Sequence, residues 1–443
     1  MRRTRGRAST RVKPSPAADR LHSSLRIGGT TTVRNRLYRA PVLEGAGDGD
    51  DCAAVYAKAF VENARHGVGL IIQGNSCISE EGRSSPGMTL VHTRERMLRL
   101  ASMVDQVHAE GAAIWIQIGH AGLFAMEAWH EPYASQRRDP ILSPSDLRWY
   151  LRPVFRRAPV HTMSTDEVHA MCRRYGEVAA WAREAGYDGV QLASSNAKLI
   201  DQFLSPFYNR RTDEFGGSPE RRARILELIR GHIAEQAGAD FTCTVKVPVA
   251  EKAPPFTPRT SWDEGVRLAQ LCEEWGYDSV TPVHVSVLPD STLSRGGIPS
   301  SLWRNKAMKT RFRRAAKTRF ERAVLMAGYV GGGVASPFRP VWNRSRFRAV
   351  KPVVSIPVLA VGGIRTRAEV EQILDAGDAD MVGIGRPFYA EPDLARRIVG
   401  EPTESDPHDH GLCQNSNLCV PAQMLGMKGV CYNPEVIKVR RGR

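Results

Sequence analysis

Three observations on this 443-residue sequence predict an α/β chain closed into a single (β/α)8 barrel, the TIM-barrel architecture, with long βα loops. A unit of amphipathic helix, glycine and short apolar strand recurs along the chain. The strands number eight, enough to close a barrel. The stretch Ile356 to Phe388 holds two parallel strands tipped by Gly362-Gly363 and Gly383-Ile384-Gly385. A doubly wound sheet is the competing fold, but the G-x-G-x-x-G expected after its first strand does not occur there.

Residues 1–25, rich in Arg, Ser, Pro and Ala without apolar periodicity, are expected to form a disordered basic extension. Leu37 to Val42 reads as the first strand, and Asp51 to His66 as a helix that Gly67 ends. Val68 to Ile72 is a continuous apolar run, the sign of a strand buried on both faces. Helix Arg94 to Glu110 meets Gly111 and runs into Ala113 to Ile118, and helix Thr165 to Ala185 meets Gly186 and runs into Tyr187 to Leu192. Thr242 to Val247 is the fifth strand. Trp262 to Trp275 meets Gly276 before Tyr277 to Thr281, and Ala368 to Ala376 meets Gly377 before Asp380 to Val382. Each glycine suits the left-handed residue that closes a helix. The barrel is expected over 26–400, with a separate tail over 401–443. Two loops at the catalytic end are long, Gly119 to Met163 and Pro282 to about Val341. The second contains Gly328-Tyr-Val-Gly-Gly-Gly333, read as a flexible turn.

The formal net charge of +15 is concentrated in two places. Met1 to Arg36 carries ten Lys/Arg against one Asp, and Arg295 to Arg322 carries ten against one Glu. Neither is interleaved with a nucleic-acid motif, so both read as solvated basic arms and nucleic acid is not expected as a partner. Eight cysteines, five of them scattered singly, do not form a secreted disulfide framework. No apolar run follows Arg2-Arg3, and no apolar stretch reaches the roughly 18 residues of a membrane span. The expected setting is cytoplasmic, with no membrane partner; assembly as a homo-oligomer is left open.

Glycine tips on adjacent parallel strands, each followed by a helix start, present bare amides where a phosphate can be held. Tight turns without a ligand would use the same residues.

From its motifs the chain resembles the old yellow enzyme family of FMN-dependent NAD(P)H oxidoreductases, in particular the branch containing 2,4-dienoyl-CoA reductase and trimethylamine dehydrogenase. The resemblance covers about residues 25 to 435. It is carried by N-R-L-Y-R-A-P at 35–41, Q-I-G-H-A-G at 117–122, D-Q-F-L-S-P-F-Y-N-R-R-T-D-E-F-G-G-S at 201–218 and the two glycine tips. It implies that Ala40 and Pro41 pack beside the isoalloxazine and that Gln117 bonds its pyrimidine edge. Lys246 would stand against N1 and O2, where negative charge develops when hydride reaches N5. Gly362, Gly363, Gly385 and Arg386 would hold the FMN phosphate. His120 falls in the H-A-G turn near the flavin, or braces that turn.

Two departures matter. Where the family pairs two hydrogen-bond donors after strand four and adds a tyrosine, this chain has Ala193, Asn196 and Lys198. Lys198 is a substitute cation or proton donor, or a solvated loop lysine. In the tail, Cys413, Cys419 and Cys431 align with a four-cysteine iron–sulfur motif whose second position is Ser416. An iron–sulfur cluster is therefore not expected, and the chain stops where that branch would continue into nucleotide-binding domains. The leading expectation is hydride transfer from NADH or NADPH through flavin N5 to a small oxidised organic molecule, an unsaturated one among the options, with Asn196, Lys198 and His120 as candidate catalytic groups. The alternatives are a flavin-dependent amine dehydrogenase and a non-catalytic flavin protein with a basic interaction loop.

Overall fold

The apolar runs lie side by side in one parallel sheet: β1 (Leu37–Arg39), β2 (Leu70–Cys77), β3 (Ala113–Gly119), β4 (Gly189–Leu192), β5 (Thr242–Lys252), β6 (Ser279–Ser286), β7 (Leu359–Val361) and β8 (Met381–Ile384). The computed structural model describes residues 20–128, 130, 132, 139–152, 158–287, 294–400 and 411–442. Strand order is β6-β5-β4-β3-β2-β1-β8-β7. A parallel bridge from Val280 to Val358 closes the ring, with the Val280 amide donating to Pro357 O at 3.1 Å. The barrel read from the sequence is thus the one observed.

Alternation along each strand separates two cores. Outward residues such as Ile114, Ile116, Val190, Leu192, Val245 and Val247 pack beneath the helices. Inward residues Leu70, Ile72, Trp115, Leu359 and Met381 fill the lower barrel with Ile27 and Val33. Those last two come from an antiparallel hairpin, Leu25–Ile27 with Thr31–Val33, which stops the amino-terminal end. The Trp115 indole donates to Thr31 Oγ1 at 2.8 Å, fixing the stopper to β3. Order therefore begins earlier than expected: residues 20–22 are helical and Leu21 is fully buried, because the barrel floor needs apolar cover. The rest of the predicted extension, residues 1–19, lies outside the described residues.

The helix-closing glycines Gly67, Gly111, Gly186, Gly276 and Gly377 all have positive φ, between 64° and 110°. The aspartate that follows three of them does further work. Asp188 accepts from Ile114 N at 2.7 Å, Asp278 from Cys243 N at 2.8 Å and Asp380 from Val358 N at 2.7 Å. Their own amides donate back to the carbonyls of the same three residues. Each repeat thus pins the start of a new strand to its neighbour, which fixes register and aims the strand's other end at the mouth.

Three expectations are corrected. The helix foreseen over 94–110 is two, Arg94–Leu98 and Ala101–Ala109. Gly328 to Gly333 is not a turn but part of the helix Arg319–Ala335. Its start is fixed by a capping box between Thr318 and Glu321, and Leu325 and Met326 pack on the neighbouring helix Lys306–Ala315, so the glycine cost of about 1 kcal/mol each is outweighed. The second basic cluster is a helical insert rather than a loose arm. Its Leu302, Met308 and Phe312 bury against Ala422 and Leu425 of the tail. Among the described residues no helix is long and apolar enough to cross a membrane.

Candidate active site

Toward the carboxyl ends of the strands the inward positions turn polar. Gln117 of β3 donates to Gln191 of β4 at 2.7 Å, and Gln191 donates to Thr281 of β6 at 3.3 Å. Lys246 of β5 stands in register with Thr281. Val245 and Val247 face the helices, so strand alternation turns Lys246 inward. Its ammonium has no hydrogen-bond or ion-pair partner among the described residues, and burial lowers it to about 8. A cation so placed is costly unless an anionic group meets it.

A second such cation follows β4. After β4 the chain passes Ala193 and reaches Asn196 and Ala197, both left-handed at φ 59° and 54°. Two consecutive non-glycine residues in that region store strain of order 1–2 kcal/mol each. The loop is held to its shape: Ala197 N donates to Asp201, Gln202 donates to Ala197 O at 2.6 Å, and Leu199 N donates to His120 O at 2.9 Å. It presents Lys198, again unpartnered and lowered by burial to about 8, and an Asn196 side chain that bonds no described residue. Ala193 shares the inward face with Gln191. A Cβ on Gly119 would lie 2.7 Å from the Ala193 methyl, so bare backbone and a methyl occupy the place of a donor.

His120 adjoins this loop through the Leu199 amide. It is fully buried, its Nδ1 accepts from Gly122 N at 2.9 Å and its Nε2 lies 3.5 Å from Glu81. Although burial alone would raise the Glu81 carboxyl, contact with His120 holds it down at about 2. These contacts are those of a residue bracing the turn.

On the opposite wall, Ala40 N donates to Ile384 O at 2.9 Å, setting the end of β1 beside the end of β8. A Cβ on Gly385 would come within 3.9 Å of Ala40 Cβ. Beneath this wall is a buried pair that the sequence did not reveal, Arg39 with Glu44 at 2.6 Å. Glu44 also accepts from Gly74 N at 3.2 Å, and Arg39 lies over Phe60 at 4.7 Å. The pair fixes the turn that carries Ala40 and the half-buried Pro41.

At the tips of β7 and β8 the Gly362 amide is taken up by the ladder beside Gly383, whereas those of Gly363, Gly385 and Arg386 find no backbone acceptor among the described residues. Gly362 and Gly363 have φ of 117° and 82°, and a Cβ on either would lie within 2.7 Å of Asn343 or Trp342. Packing thus accounts for glycine there; the unsatisfied amides still call for an anion. The Arg386 guanidinium donates to Asn417 of the tail and, at 2.7 Å, to Arg295 O. Arg295, read from sequence as part of a solvated arm, is half-buried: it lies over Trp342 at 4.4 Å and bonds His284 at 3.0 Å. No sequence signal distinguished it from the nine cations that follow it.

Cys413, Cys419 and Cys431 line one small cavity with Ser416 and Arg386. Burial pushes the Cys419 thiol up to about 12. Among the described residues no three His, Cys, Asp or Glu are arranged to hold a metal ion.

The sequence profile of the NADH:flavin oxidoreductase / NADH oxidase family matches residues 20–287 and 331–403. The chain is 29% identical over 380 residues to an NADH oxidase of Thermoanaerobacter brockii, covering 85% of this chain and 50% of that protein. It is 27% identical over 420 residues to an N,N-dimethylglycine/sarcosine dehydrogenase of Chromohalobacter salexigens, covering 94% and 53%. This chain therefore spans about half the length of these two relatives. An old yellow enzyme homologue from Zymomonas mobilis superposes with a TM-score of 0.61 at 20% identity, over 94% of this chain and 98% of that one.

Proposed function

The chain belongs to the NADH:flavin oxidoreductase / NADH oxidase family, and from that premise we propose that it binds FMN at the barrel mouth and uses NADH or NADPH to reduce a small unsaturated organic molecule. The observation that carries the reading is the Lys246 ammonium, inward, half-buried and without a counter-ion among the described residues. The residues present fit FMN. The acceptor-less amides of Gly363, Gly385 and Arg386, with bare Gly362 beside them, match its phosphate, Ala40 and Pro41 offer an apolar wall, and Lys246 offers charge to the pyrimidine edge. FMN, when bound, supplies a centre that accepts and returns a hydride.

The chain's own groups do the rest. Gln117, already donating to Gln191, keeps its carbonyl oxygen for a ring N–H. Asn196 orients substrate, and Lys198, lowered to about 8, is a cation at neutral pH that can release a proton from Nζ. His120 keeps the turn in place.

FMN-supplemented protein should retain flavin, and anaerobic NADH or NADPH alone should bleach it. A folded protein that keeps no FMN would overturn the reading. Ala193 brings no donor for a carbonyl oxygen, which favours a second reading in which an amine is the electron donor. Bleaching by an amine and by neither nicotinamide would establish that one instead.

A further inference from the structure

The helical insert carries an outer surface that the proposed reaction does not use. Its two longer helices, Lys306–Ala315 and Arg319–Ala335, sit on one small core: Met308, Phe312 and Ala315 of the first and Leu325 and Met326 of the second pack with Ala422 and Leu425 of the tail. Both helices therefore turn their opposite faces to solvent, and the two faces differ. On the second helix Phe320, Val324, Ala327, Gly331 and Val334 recur every three or four residues, so they form one stripe about 20 Å long. All are exposed, Phe320 at 72%, Val324 at 54% and Val334 at 68%, and Ala323, Gly328 and Ala335 lie along the same line. No polar residue falls within it. Soluble chains seldom leave so long an apolar face bare without a use for it.

The neighbouring face is cationic. Lys306, Lys309 and Arg313 follow the same spacing on the solvent side of the first helix, with Arg314 beside them, and all four are exposed. None makes an ion pair among the described residues. The single acid between Arg295 and Arg322, Glu321, is used in the capping box with Thr318. These charges choose among the possible coverings. A second copy of the chain would set two cationic helices against one another. An acidic protein would meet the cations, but the stripe beside them offers it no hydrogen bond and no pocket to fix a register. A bilayer of anionic lipid needs neither: acyl chains take the apolar stripe, and head-group phosphates and carboxylates take the cations. That no described helix is long and apolar enough to cross a membrane bears on crossing, not on lying flat in the head-group layer.

We propose that the insert is a membrane-docking element: the outer face of Arg319–Ala335 lies in the head-group layer of an anionic bilayer, and Lys306, Lys309, Arg313 and Arg314 hold the head groups. Arg295 O, at the foot of the insert, accepts from Arg386 at the tip of β8 at 2.7 Å, so docking tethers the mouth end of the barrel to the lipid. The inference rests on the insert alone and not on the proposed redox activity.

Full-length protein should co-sediment at low salt with vesicles of equal parts phosphatidylcholine and phosphatidylserine, and should bind vesicles of phosphatidylcholine alone at least about tenfold more weakly. Added salt should weaken the first binding steeply. Lys306→Ser combined with Lys309→Ser and Arg313→Ser should lose on the order of a hundredfold, three cations near the surface each contributing a factor of about five. Phe320→Ser combined with Val324→Ser should lose about tenfold or more while keeping the salt dependence. All five side chains are exposed, so both variants should unfold at the wild-type midpoint, which shows that they are folded. No affinity for the mixed vesicles, or equal affinity for both kinds, would overturn the proposal. So would vesicle binding that Phe320→Ser with Val324→Ser leaves intact, since that is adsorption by charge alone. Poly-glutamate bound as tightly as the mixed vesicles would assign the surface to an acidic polypeptide instead. A dimer in ultracentrifugation that Phe320→Ser with Val324→Ser dissolves would assign the stripe to a second copy.

Discussion

The two lysines at the mouth carry opposite consequences for stability and for binding. Lys246 costs the flavin-free protein an uncompensated, half-buried charge and should return more than that cost when an anionic ring edge is present. Lys246→Met should therefore raise the thermal midpoint of flavin-free protein while weakening FMN binding by about ten- to a hundredfold, the worth of a charged hydrogen bond of roughly 1.5–3 kcal/mol. Calorimetry with and without FMN checks both signs; weaker stability together with unchanged FMN affinity would assign Lys246 to the scaffold. In the proposed reaction Lys198 serves the other step. With its ammonium lowered to about 8, substrate turnover should fall as pH rises through about 8, and a Lys198→Met variant should lack that limb while its flavin still bleaches with nicotinamide. Ala193 tests the geometry between them. It lies on the inward face with its methyl close against Gly119, and Ala193→His, by supplying an oxyanion donor, should raise enone turnover about tenfold or more. No gain, with FMN binding intact, would mean that substrate is held elsewhere.

At the scale of the element, what was legible was whatever repeats. Helix, glycine and aspartate recur because each repeat must end a helix and pin a strand, so periodicity and punctuation located all eight strands. What repeats nowhere was lost. The Arg39–Glu44 pair and the contacts of Arg295 with Trp342 and His284 join residues whose meeting depends on how loops cross the barrel mouth, and no spacing encodes that. The glycine run 328–333 misled for a related reason: propensity argued for a turn, while a capping box upstream and apolar contacts with a neighbouring helix decided for helix. The tips of β7 and β8 show both kinds of information at once, since their glycines were visible but Trp342 beside them was not. Gly363→Ala must place a Cβ 2.6 Å from Trp342 Cδ1 at a φ of 82°. It should cost at least about 1 kcal/mol from the backbone alone, and FMN retention should fall with it because the free amides lose their alignment. Unfolding curves and flavin-to-protein ratios measure the two effects; a variant as stable and as yellow as wild type would show that the tip is not held as described.

Across the whole molecule, the insert and the tail form one subassembly over the rim. The family profile leaves residues 288–330 unmatched, and within the described part of that stretch Leu302, Met308 and Phe312 bury the tail's Ala422 and Leu425. Hydrogen bonds support the docking: Ser301 Oγ donates to Leu418 O at 2.9 Å, and Arg311 donates to the carbonyls of Leu425 and Gly426 at 3.1 Å each. Gly297 N donates to Asn415 O at 2.8 Å, and Arg386 binds Asn417, so the tail is also tied to the tip of β8. Apolar contact and hydrogen bonds thus supply the order that a bound cluster would otherwise impose on three cysteines. The cysteines themselves offer a poor cluster site, because Ser416, a harder and less acidic ligand, stands at the second of the four ligand positions. Protein purified anaerobically should accordingly carry essentially no iron or acid-labile sulfide, and a chelator should leave its unfolding midpoint and the protease resistance of the tail unchanged. Phe312→Asp, which breaks the apolar contact, should expose the tail to protease while the barrel stays folded. About four irons per chain, or a tail that chelator releases and Phe312→Asp does not, would show that metal and not the insert holds this end of the molecule together.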